Sequence, residues 1–214
     1  MIKISGFRQS CKYKYNFMEN PWNTFSNEKM KKIFTEKTQV IDIGGGLRVD
    51  ETKNNRKNES MNWLNEYIKK VDYKVLDKVA DYKPDIVGDV HALPFADESV
   101  EAIVCIAVLE HVEEPIKAVK EIYRVLKKGG YCFIFVPFLY YYHPMKGYYK
   151  DYYRFTYDGV EYMTKDFSSV EIQNVRGSIS TVMNLLPFFS KRTALFDFLD
   201  KKLGKIKSKQ TSGY

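Results

Sequence analysis

Carboxylates, glycines and histidines stand at several places in this sequence where a short apolar run ends. The first of these apolar runs contains Asp42 and leads into Gly44, Gly45 and Gly46. Glycines permit positive φ and let the main chain approach a ligand where a Cβ would clash, although such a turn can also serve tight packing alone. Asp77 ends a second run, where a carboxylate can accept both hydroxyls of a ribose. These residue types indicate a nucleotide-like ligand.

Two later apolar runs also end in polar residues. Asp89 follows a short run at 85–87, and His111 belongs to the segment Val108–Val112 after the run at 100–107. The carboxyl ends of parallel strands meet at one edge of an open α/β sheet, and ligands bind at that edge. We therefore expect all of these side chains to lie close together.

The apolar patterns predict the elements that would position these residues. Strands are predicted at 38–43, 73–77, 85–87, 100–107 and 131–137, and helices at 27–36, 60–70 and 114–126. Ser60 is the predicted cap of the second helix, and Gly129–Gly130 the predicted end of the third. This alternation predicts a doubly wound, Rossmann-like α/β fold with a mostly parallel sheet and helices on both faces.

The pattern changes after Pro137. Eight tyrosines fall between Tyr140 and Tyr157, and a helix at 156–164, a strand at 170–175, two amphipathic helices and a disordered lysine-rich tail are predicted to follow. We divide the chain into an N-terminal helical cap (1–37), a core domain (38–176), and C-terminal amphipathic helices with a basic tail (177–214).

An ordered series of motifs between residue 38 and about residue 165 resembles the class I S-adenosylmethionine-dependent methyltransferases. The series reads D-I-G-G-G, V-L-D, D-I-V-G-D-V-H-A-L-P-F-A-D-E-S-V, V-L-E-H-V-E-E-P, R-V-L-K-K-G-G and V-P-F. Each piece alone is weak, but the order is specific. The resemblance implies a methyltransferase that uses S-adenosylmethionine as its cofactor.

The resemblance also implies roles for individual residues. Asp42 and the glycine turn at 44–46 would face the methionine part of the cofactor, with Asp42 binding its ammonium group. Asp77 would hold the ribose, Asp89 and the backbone of Val90 would hold the adenine, and the segment from Ala107 to His111 would form the pocket floor.

The sequence departs from the family pattern at two places. Arg48 replaces the third glycine of the usual G-x-G-x-G loop, where it can narrow the methionine end or point to solvent. One segment is a candidate for the sixth strand and none for the seventh, so the sheet is expected to lack its last strand.

The acceptor side resembles a subgroup of this family whose members are often encoded among glycan-biosynthesis genes. His143 and the segment D-Y-Y-R-F-T from Asp151 to Thr156 carry that resemblance. Methyl transfer to a hydroxyl needs alignment and a base. A histidine has a suitable pKa for that base, so His143 is the first candidate and His111 the alternative. Asp151 and Arg154 can contact the acceptor or form an ion pair that holds the loop.

The tyrosines suit a platform for a sugar, because aromatic faces pack on pyranose CH groups; they equally suit a lid packed on the protein itself. The predicted acceptor is a small molecule or a glycan, methylated at oxygen.

Bulk composition adds weaker predictions. The net charge of +7 comes from 34 basic and 27 acidic residues, with scattered lysines, so nucleic acid is an unfavoured partner but remains open. The three cysteines lack metal-ligand spacing, and the sequence predicts no metal site. A cytoplasmic location is expected, since there is neither a signal-peptide pattern nor a run of about 18–20 apolar residues. Oligomeric state is not predicted.

Apolar residues among lysines near the C-terminus can pack on the core, pair with another copy, or bring the protein to a membrane surface. They are Leu185, Leu186, Phe188, Phe189, Leu195, Phe196, Phe198, Leu199 and Leu203.

Two other functions compete with methyl transfer. A nicotinamide-dependent oxidoreductase would need a glycine loop that opens directly into a helix, whereas a polar insert follows Gly46 here. A catalytically degenerate methyltransferase-like module would use the same fold to bind RNA or a protein partner.

Overall fold

A parallel sheet of five strands lies at the centre of the computed structural model, which describes residues 21–50, 52–53, 57–186, 188–189 and 193–214. The strands are β1 (Gln39–Ile43), β2 (Asp72–Asp77), β3 (Ile86–Val87), β4 (Val100–Ile106) and β5 (Leu126–Phe135). Their order across the sheet is β3-β2-β1-β4-β5, and every neighbouring pair is parallel. The predicted doubly wound α/β fold is confirmed.

The helices are α1 (Pro21–Glu36), α2 (Asn65–Ile68), α3 (Pro115–Val125), α4 (Tyr157–Met163), α5 (Ser178–Asn184) and α6 (Thr193–Lys202). Single 3₁₀ turns cover Glu59–Leu64, Ala80–Tyr82 and Leu109–His111.

The two faces of the sheet are covered by different helices, as strand periodicity requires. On one face, Val40 packs in a buried cluster with Met30 and Phe34 of α1. On the other face, Ile41 packs in a second cluster with Ile122 of α3 and Val160 of α4. Helix α1 therefore contributes directly to the core, although it belongs to the predicted N-terminal cap. The first 20 residues of that cap lie outside the described residues.

Two predicted boundaries were wrong. Asn58, and not Ser60, caps the second helical segment, which starts as a 3₁₀ turn, because the Asn58 side chain accepts the backbone N–H of Ser60. Helix α3 ends at Val125 and β5 begins at once, so Gly129–Gly130 lies inside a strand. A Cβ on Gly130 would lie 2.8 Å from the carbonyl oxygen of Lys127 in β5 and 3.0 Å from that of Glu101 in β4, so close backbone packing requires glycine here.

No strand forms at 170–175 in the described chain, contrary to the prediction. Instead, residues 211–214 run antiparallel to 136–139, just beyond β5. The N–H groups of Val136 and Phe138 donate to the carbonyls of Tyr214 and Ser212 over 2.8 Å each. The prediction of a disordered tail was wrong as well, because Thr211 and Tyr214 are buried.

Helices α5 and α6 pack against each other through a buried carboxylate. Asp200 of α6 is fully buried and accepts the N–H groups of Ile179 and Ser180 at the start of α5. Several apolar side chains in these helices or just after them stay exposed, among them Leu186, Leu195, Phe198 and Leu203. None of the helices in the described part of the chain is long and apolar enough to cross a membrane.

Candidate functional site

Backbone hydrogen bonds join the carboxyl ends of the strands into one edge. The N–H of Gly44, after β1, donates to Leu76 at the end of β2 over 2.7 Å. The N–H of Gly88, after β3, donates to Asp77 over 3.0 Å, and that of Ala107, after β4, donates to Phe135 of β5 over 3.1 Å. The predicted cofactor residues are thus brought to the same edge of the sheet.

Asp42 holds the glycine loop. Its fully buried carboxylate accepts the N–H groups of Gly46 and Leu47 over 3.1 Å each and the hydroxyl of Tyr73 over 2.8 Å. Burial raises the pKa of this carboxyl to about 7, although the three hydrogen-bond donors act to lower it. Both oxygens are therefore engaged within the chain, and a direct contact between Asp42 and a cofactor ammonium group stays a prediction.

The glycines of this loop are required partly by packing. Gly44 and Gly45 have positive φ, of 76° and 61°. A Cβ on Gly44 would lie 2.4 Å from the Val108 side chain, and one on Gly46 would lie 2.6 Å from Ile106. The loop is consequently pressed against the end of β4, which brings its backbone next to the predicted pocket floor.

Arg48 occupies a position that favours glycine. It has a φ of 51°, and its N–H donates to the carbonyl of Gly45 over 3.2 Å. The side chain is exposed. Arg48 thus adopts the left-handed conformation, at a cost of about 1 kcal/mol.

Two carboxylates follow the next strands in contrasting environments. Asp77 is half-buried, accepts the N–H of Val79 over 2.8 Å, and has a pKa raised by burial. Asp89 accepts from Lys78 over 2.7 Å and from the N–H of His91 over 2.9 Å. Burial alone would raise its pKa, but these donors outweigh burial and hold it at about 2. Val90 beside it is buried, so its contribution to a ligand would come from its backbone.

The residue that follows β4 has a strained backbone conformation. Ala107 has a φ of 54°, in the left-handed region that a non-glycine residue seldom adopts. Such strain clusters where structure serves a ligand. The next residues form the 3₁₀ turn that carries His111.

His111 meets the second predicted base, His143, across 32 residues of sequence. The two imidazole rings have centroids 4.9 Å apart and cross at 76°. The Nδ1 of His111 lies 2.7 Å from the carbonyl oxygen of Lys150, and the Nδ1 of His143 lies 2.8 Å from that of Tyr141. A carbonyl oxygen only accepts, so each Nδ1 carries the hydrogen and each Nε2 has a free lone pair. Burial lowers the pKa of His111.

Glu110 is a candidate site residue that the sequence analysis did not single out. Its side chain is 1% exposed, and its Oε1 lies 3.9 Å from the Nε2 of His111 and 3.7 Å from that of His143. Burial raises its pKa to about 7. The sequence did contain a signal for Glu110, because this carboxylate stands next to His111 at the predicted sheet edge. The motif that contains it was used only for the family resemblance.

Asp151 and Arg154 form a two-point ion pair that positions His143. Arg154 donates to both oxygens of Asp151, over 2.6 and 2.8 Å, and its other donors reach the carbonyls of Tyr140, Tyr141 and Tyr153. The Asp151 carboxylate also accepts the N–H of His143 over 2.7 Å. Arg154 foremost holds the pKa of Asp151 at about 2. These contacts support the ion-pair interpretation, whereas acceptor contact by either residue stays untested.

The segment 140–154, called here the tyrosine loop, spans the site from one strand end to another. The ring of Tyr148 stacks on Tyr82, beyond β2, with centroids 5.4 Å apart, and Tyr149 packs on His111 with centroids 4.4 Å apart. Tyr152 and Tyr153 are tied by their hydroxyls to Glu113. Part of the cluster is therefore a lid on the protein itself, while other tyrosines stay exposed, above all Tyr142 at 76%.

Comparison with known proteins finds similarity to methyltransferases in both sequence and fold. Residues 51–134 match the family model of the methyltransferase domain. A structure of an S-adenosylmethionine-dependent methyltransferase from Archaeoglobus fulgidus aligns over 85% of this chain and 86% of that one, with 15% identity and a TM-score of 0.54. This is a class I methyltransferase fold. The resemblance predicted from the motifs is confirmed.

Two further matches are more limited. In the complex of the Haloferax volcanii Trm112 methyltransferase activator with a protein described as a methyltransferase, one chain aligns over 71% of this chain and 70% of its own length, at 19% identity and a TM-score of 0.52. The demethylmenaquinone methyltransferase of Renibacterium salmoninarum is 49% identical over 51 residues. That match spans only 22% of the curated relative.

S-adenosylmethionine is the cofactor that this family and fold imply, and the residues at the sheet edge fit it. Asp77 offers a half-buried carboxylate to the ribose hydroxyls. The glycine loop stays close to the end of β4 and continues into Leu47 and Arg48 without opening directly into a helix. A glycine loop that does not open into a helix does not suit the pyrophosphate of a nicotinamide dinucleotide, which binds at a helix N-terminus.

Proposed function

We propose that this protein is an S-adenosylmethionine-dependent methyltransferase that methylates an oxygen of a small-molecule or glycan-type acceptor. The observation that carries the proposal is the convergence, at one sheet edge, of Asp77 and the glycine loop with the His111–His143 pair. Asp77 and the glycine loop suit binding of the cofactor, and the histidine pair suits deprotonation of a hydroxyl. No comparison identifies the acceptor.

Cofactor binding is assigned to the ends of β1 to β4. Asp77 would accept the ribose hydroxyls, while Asp89 and the backbone of Val90 would hold the adenine. Gly44, Gly45 and Gly46 would line the methionine end. The cofactor supplies a methyl group on a positively charged sulfur, so the remaining work of the protein is to align an acceptor and to take its proton.

Proton removal is assigned to the histidine pair. The Nε2 of His143 has its lone pair free because Nδ1 lies against the Tyr141 carbonyl, and the Asp151 carboxylate holds the residue by accepting its backbone N–H. The side chain is 32% exposed, so an acceptor hydroxyl can reach it. His111, whose side chain is 10% exposed, would help to position the residues beside it and is the alternative base.

The tyrosine loop supports an acceptor with apolar CH faces and polar edges. The exposed rings of Tyr140, Tyr141 and Tyr142 stand beside His143, and the Tyr140 ring lies 5.3 Å from it. Aromatic faces of this kind pack on sugar rings. A glycan or sugar-like acceptor is therefore the class we expect.

The cofactor assignment is tested by calorimetric titration with S-adenosylhomocysteine, which binds without turnover. We expect micromolar binding to the native protein and at least about a 10-fold loss in Asp77→Ala, since a charge-assisted bond contributes about 1.5–3 kcal/mol. Asp72→Ala is the matched control, because it removes an exposed carboxylate from the first position of the same strand. Absence of binding to the native protein would favour the degenerate binding module.

A further inference from the structure

Glu110 is a buried carboxylate without a bonded partner. Neither of its side-chain oxygens has a hydrogen-bond partner among the residues that the structure describes, although the side chain is 1% exposed. Buried carboxylates are normally paired, hydrogen-bonded or bound to a metal ion, because desolvation of an unpaired one is costly. The Nε2 atoms of His111 and His143 are the nearest basic atoms, but at 3.9 and 3.7 Å they lie beyond hydrogen-bonding distance.

Both imidazoles are held as metal ligands usually are. In each ring Nδ1 faces a backbone carbonyl, at 2.7 Å for His111 and 2.8 Å for His143, which leaves Nε2 free. A ligating histidine almost always donates its other ring N–H to a carbonyl or a carboxylate, because that contact fixes its tautomer and orientation. The Nδ1 of His143 also lies 3.3 Å from the Asp151 carboxylate and 3.4 Å from the Arg154 guanidinium that pairs with it, so the Tyr141 carbonyl is its nearest acceptor.

We propose that Glu110, His111 and His143 form a binding site for one divalent transition-metal ion. One ligand atom from each residue lies within 4.8 Å of the other two. Two ligand atoms that each bind a tetrahedral zinc ion at about 2.1 Å lie about 3.4 Å apart, so closing the site needs a movement of up to about 1.4 Å. The partly exposed His143 can supply that movement.

The ligand set and the local charge favour a particular class of ion. Two imidazoles and one carboxylate suit Zn²⁺, Fe²⁺ or Mn²⁺, whereas Mg²⁺ prefers oxygen ligands alone. The nearest cationic side chain, Arg154, is committed to Asp151 through both of its carboxylate oxygens. The charge of Glu110 therefore remains for a bound cation, and three protein ligands leave coordination positions for an outside oxygen.

The role of this ion in methyl transfer rests on the proposed function. A metal ion lowers the pKa of a hydroxyl that it coordinates. With the ion in place, an acceptor hydroxyl would bind to it and lose its proton to solvent, and His143 would hold the metal instead of acting as the base. This narrows the acceptor class to molecules with an oxygen that can ligate a metal ion.

The metal site is tested without cofactor or acceptor. Protein stripped of metal with EDTA is titrated with Co²⁺, followed by visible absorption, and with Zn²⁺, followed by calorimetry. We expect one ion per chain, with Zn²⁺ displacing Co²⁺, and a loss of affinity of at least about 100-fold in Glu110→Gln and in His143→Ala, because a direct ligand matters more than an outer-shell contact.

Glu114→Gln is the matched control, since it neutralises an exposed carboxylate four positions along the chain and should bind the ions as the native protein does. Melting temperatures of the metal-free proteins separate loss of binding from loss of folding; Glu110→Gln removes a buried charge and should stay folded. No binding by the native protein, or unchanged binding in Glu110→Gln, would overturn the proposal. Titration with S-adenosylhomocysteine on the metal-free protein distinguishes this failure from a failure of the proposed function.

Discussion

At the scale of single residues, the site depends on carboxylates whose environments differ. Asp42 is fully buried and serves to hold the glycine loop, while Asp77 keeps a partly exposed position at the sheet edge. Asp89 is surrounded by donors and stays ionised, whereas burial raises the pKa of Glu110 to about 7. Identical chemical groups thus take on different tasks because desolvation and hydrogen bonding act on them in opposite directions.

The environment of Asp89 predicts a pH dependence. Its pKa is about 2 in the folded protein and about 4 in an unfolded chain, so the native state favours the ionised form. The stability that this provides is fully present above about pH 4 and is lost as the pH falls through about 2. Carbon-13 NMR of the carboxyl group should give a midpoint near 2 and a higher one in Lys78→Ala.

The control is Lys74→Ala, which removes a lysine that pairs with Asp72 and should leave the Asp89 midpoint unchanged. A midpoint near 4 in the native protein would contradict the assigned contacts with Lys78 and His91.

At the scale of elements, the most consequential feature is the segment that follows α6. Residues 211–214 occupy the place beside the end of β5, and the side chain of Tyr214 is 4% exposed within the core cluster that contains Val136 and Phe155. Val136 and Tyr214 exchange two backbone hydrogen bonds, of 2.8 and 2.9 Å. The segment therefore holds the chain that leads from β5 into the tyrosine loop.

Removal of the Tyr214 ring should destabilise the protein. We expect Tyr214→Ala to lower the free energy of unfolding by about 3 kcal/mol, as for other buried aromatic residues. Urea denaturation measures the change. Tyr142→Ala, at a side chain that is 76% exposed, should change the same free energy by less than about 0.5 kcal/mol. Equal effects of the two substitutions would contradict the packing of the C-terminal segment.

At the scale of the whole molecule, the positive charge is distributed among ion pairs. Eight lysines of the described residues lie within 4.0 Å of a carboxylate: Lys29, Lys53, Lys74, Lys78, Lys117, Lys127, Lys128 and Lys209. Nucleic-acid binding depends on basic groups that can neutralise phosphates. A lysine that already has a carboxylate beside it contributes less to such a surface.

This charge distribution predicts weak RNA binding. In a mobility-shift assay at about 150 mM salt we expect a Kd of about 1–100 µM for single-stranded RNA, the range of non-specific binding, with a steep decrease in affinity at higher salt. The same assay at low salt is the positive control. Sub-micromolar binding that survives the salt increase would support the RNA-binding alternative instead.

The sequence by itself determined the doubly wound sheet and the strand ends that carry the predicted cofactor residues. Apolar runs at strand and helix spacing are local signals, and parallel β-α-β topology then places Asp77 and Asp89 at one edge without further information. Boundaries that depend on contacts with neighbours were less predictable. Gly129–Gly130 has the composition of a helix end, but close packing against β4 makes it part of β5.

Only the tertiary structure decided which segment flanks β5 and how the acceptor side is built. An exposed sheet edge accepts any segment that can reach it and satisfy its backbone groups, so residues 211–214 take a place for which 170–175 had the better local pattern. Glu110 and His111 meet His143 because the tyrosine loop folds back over the end of β4. That closure depends on contacts between residues distant in sequence, which no local pattern encodes.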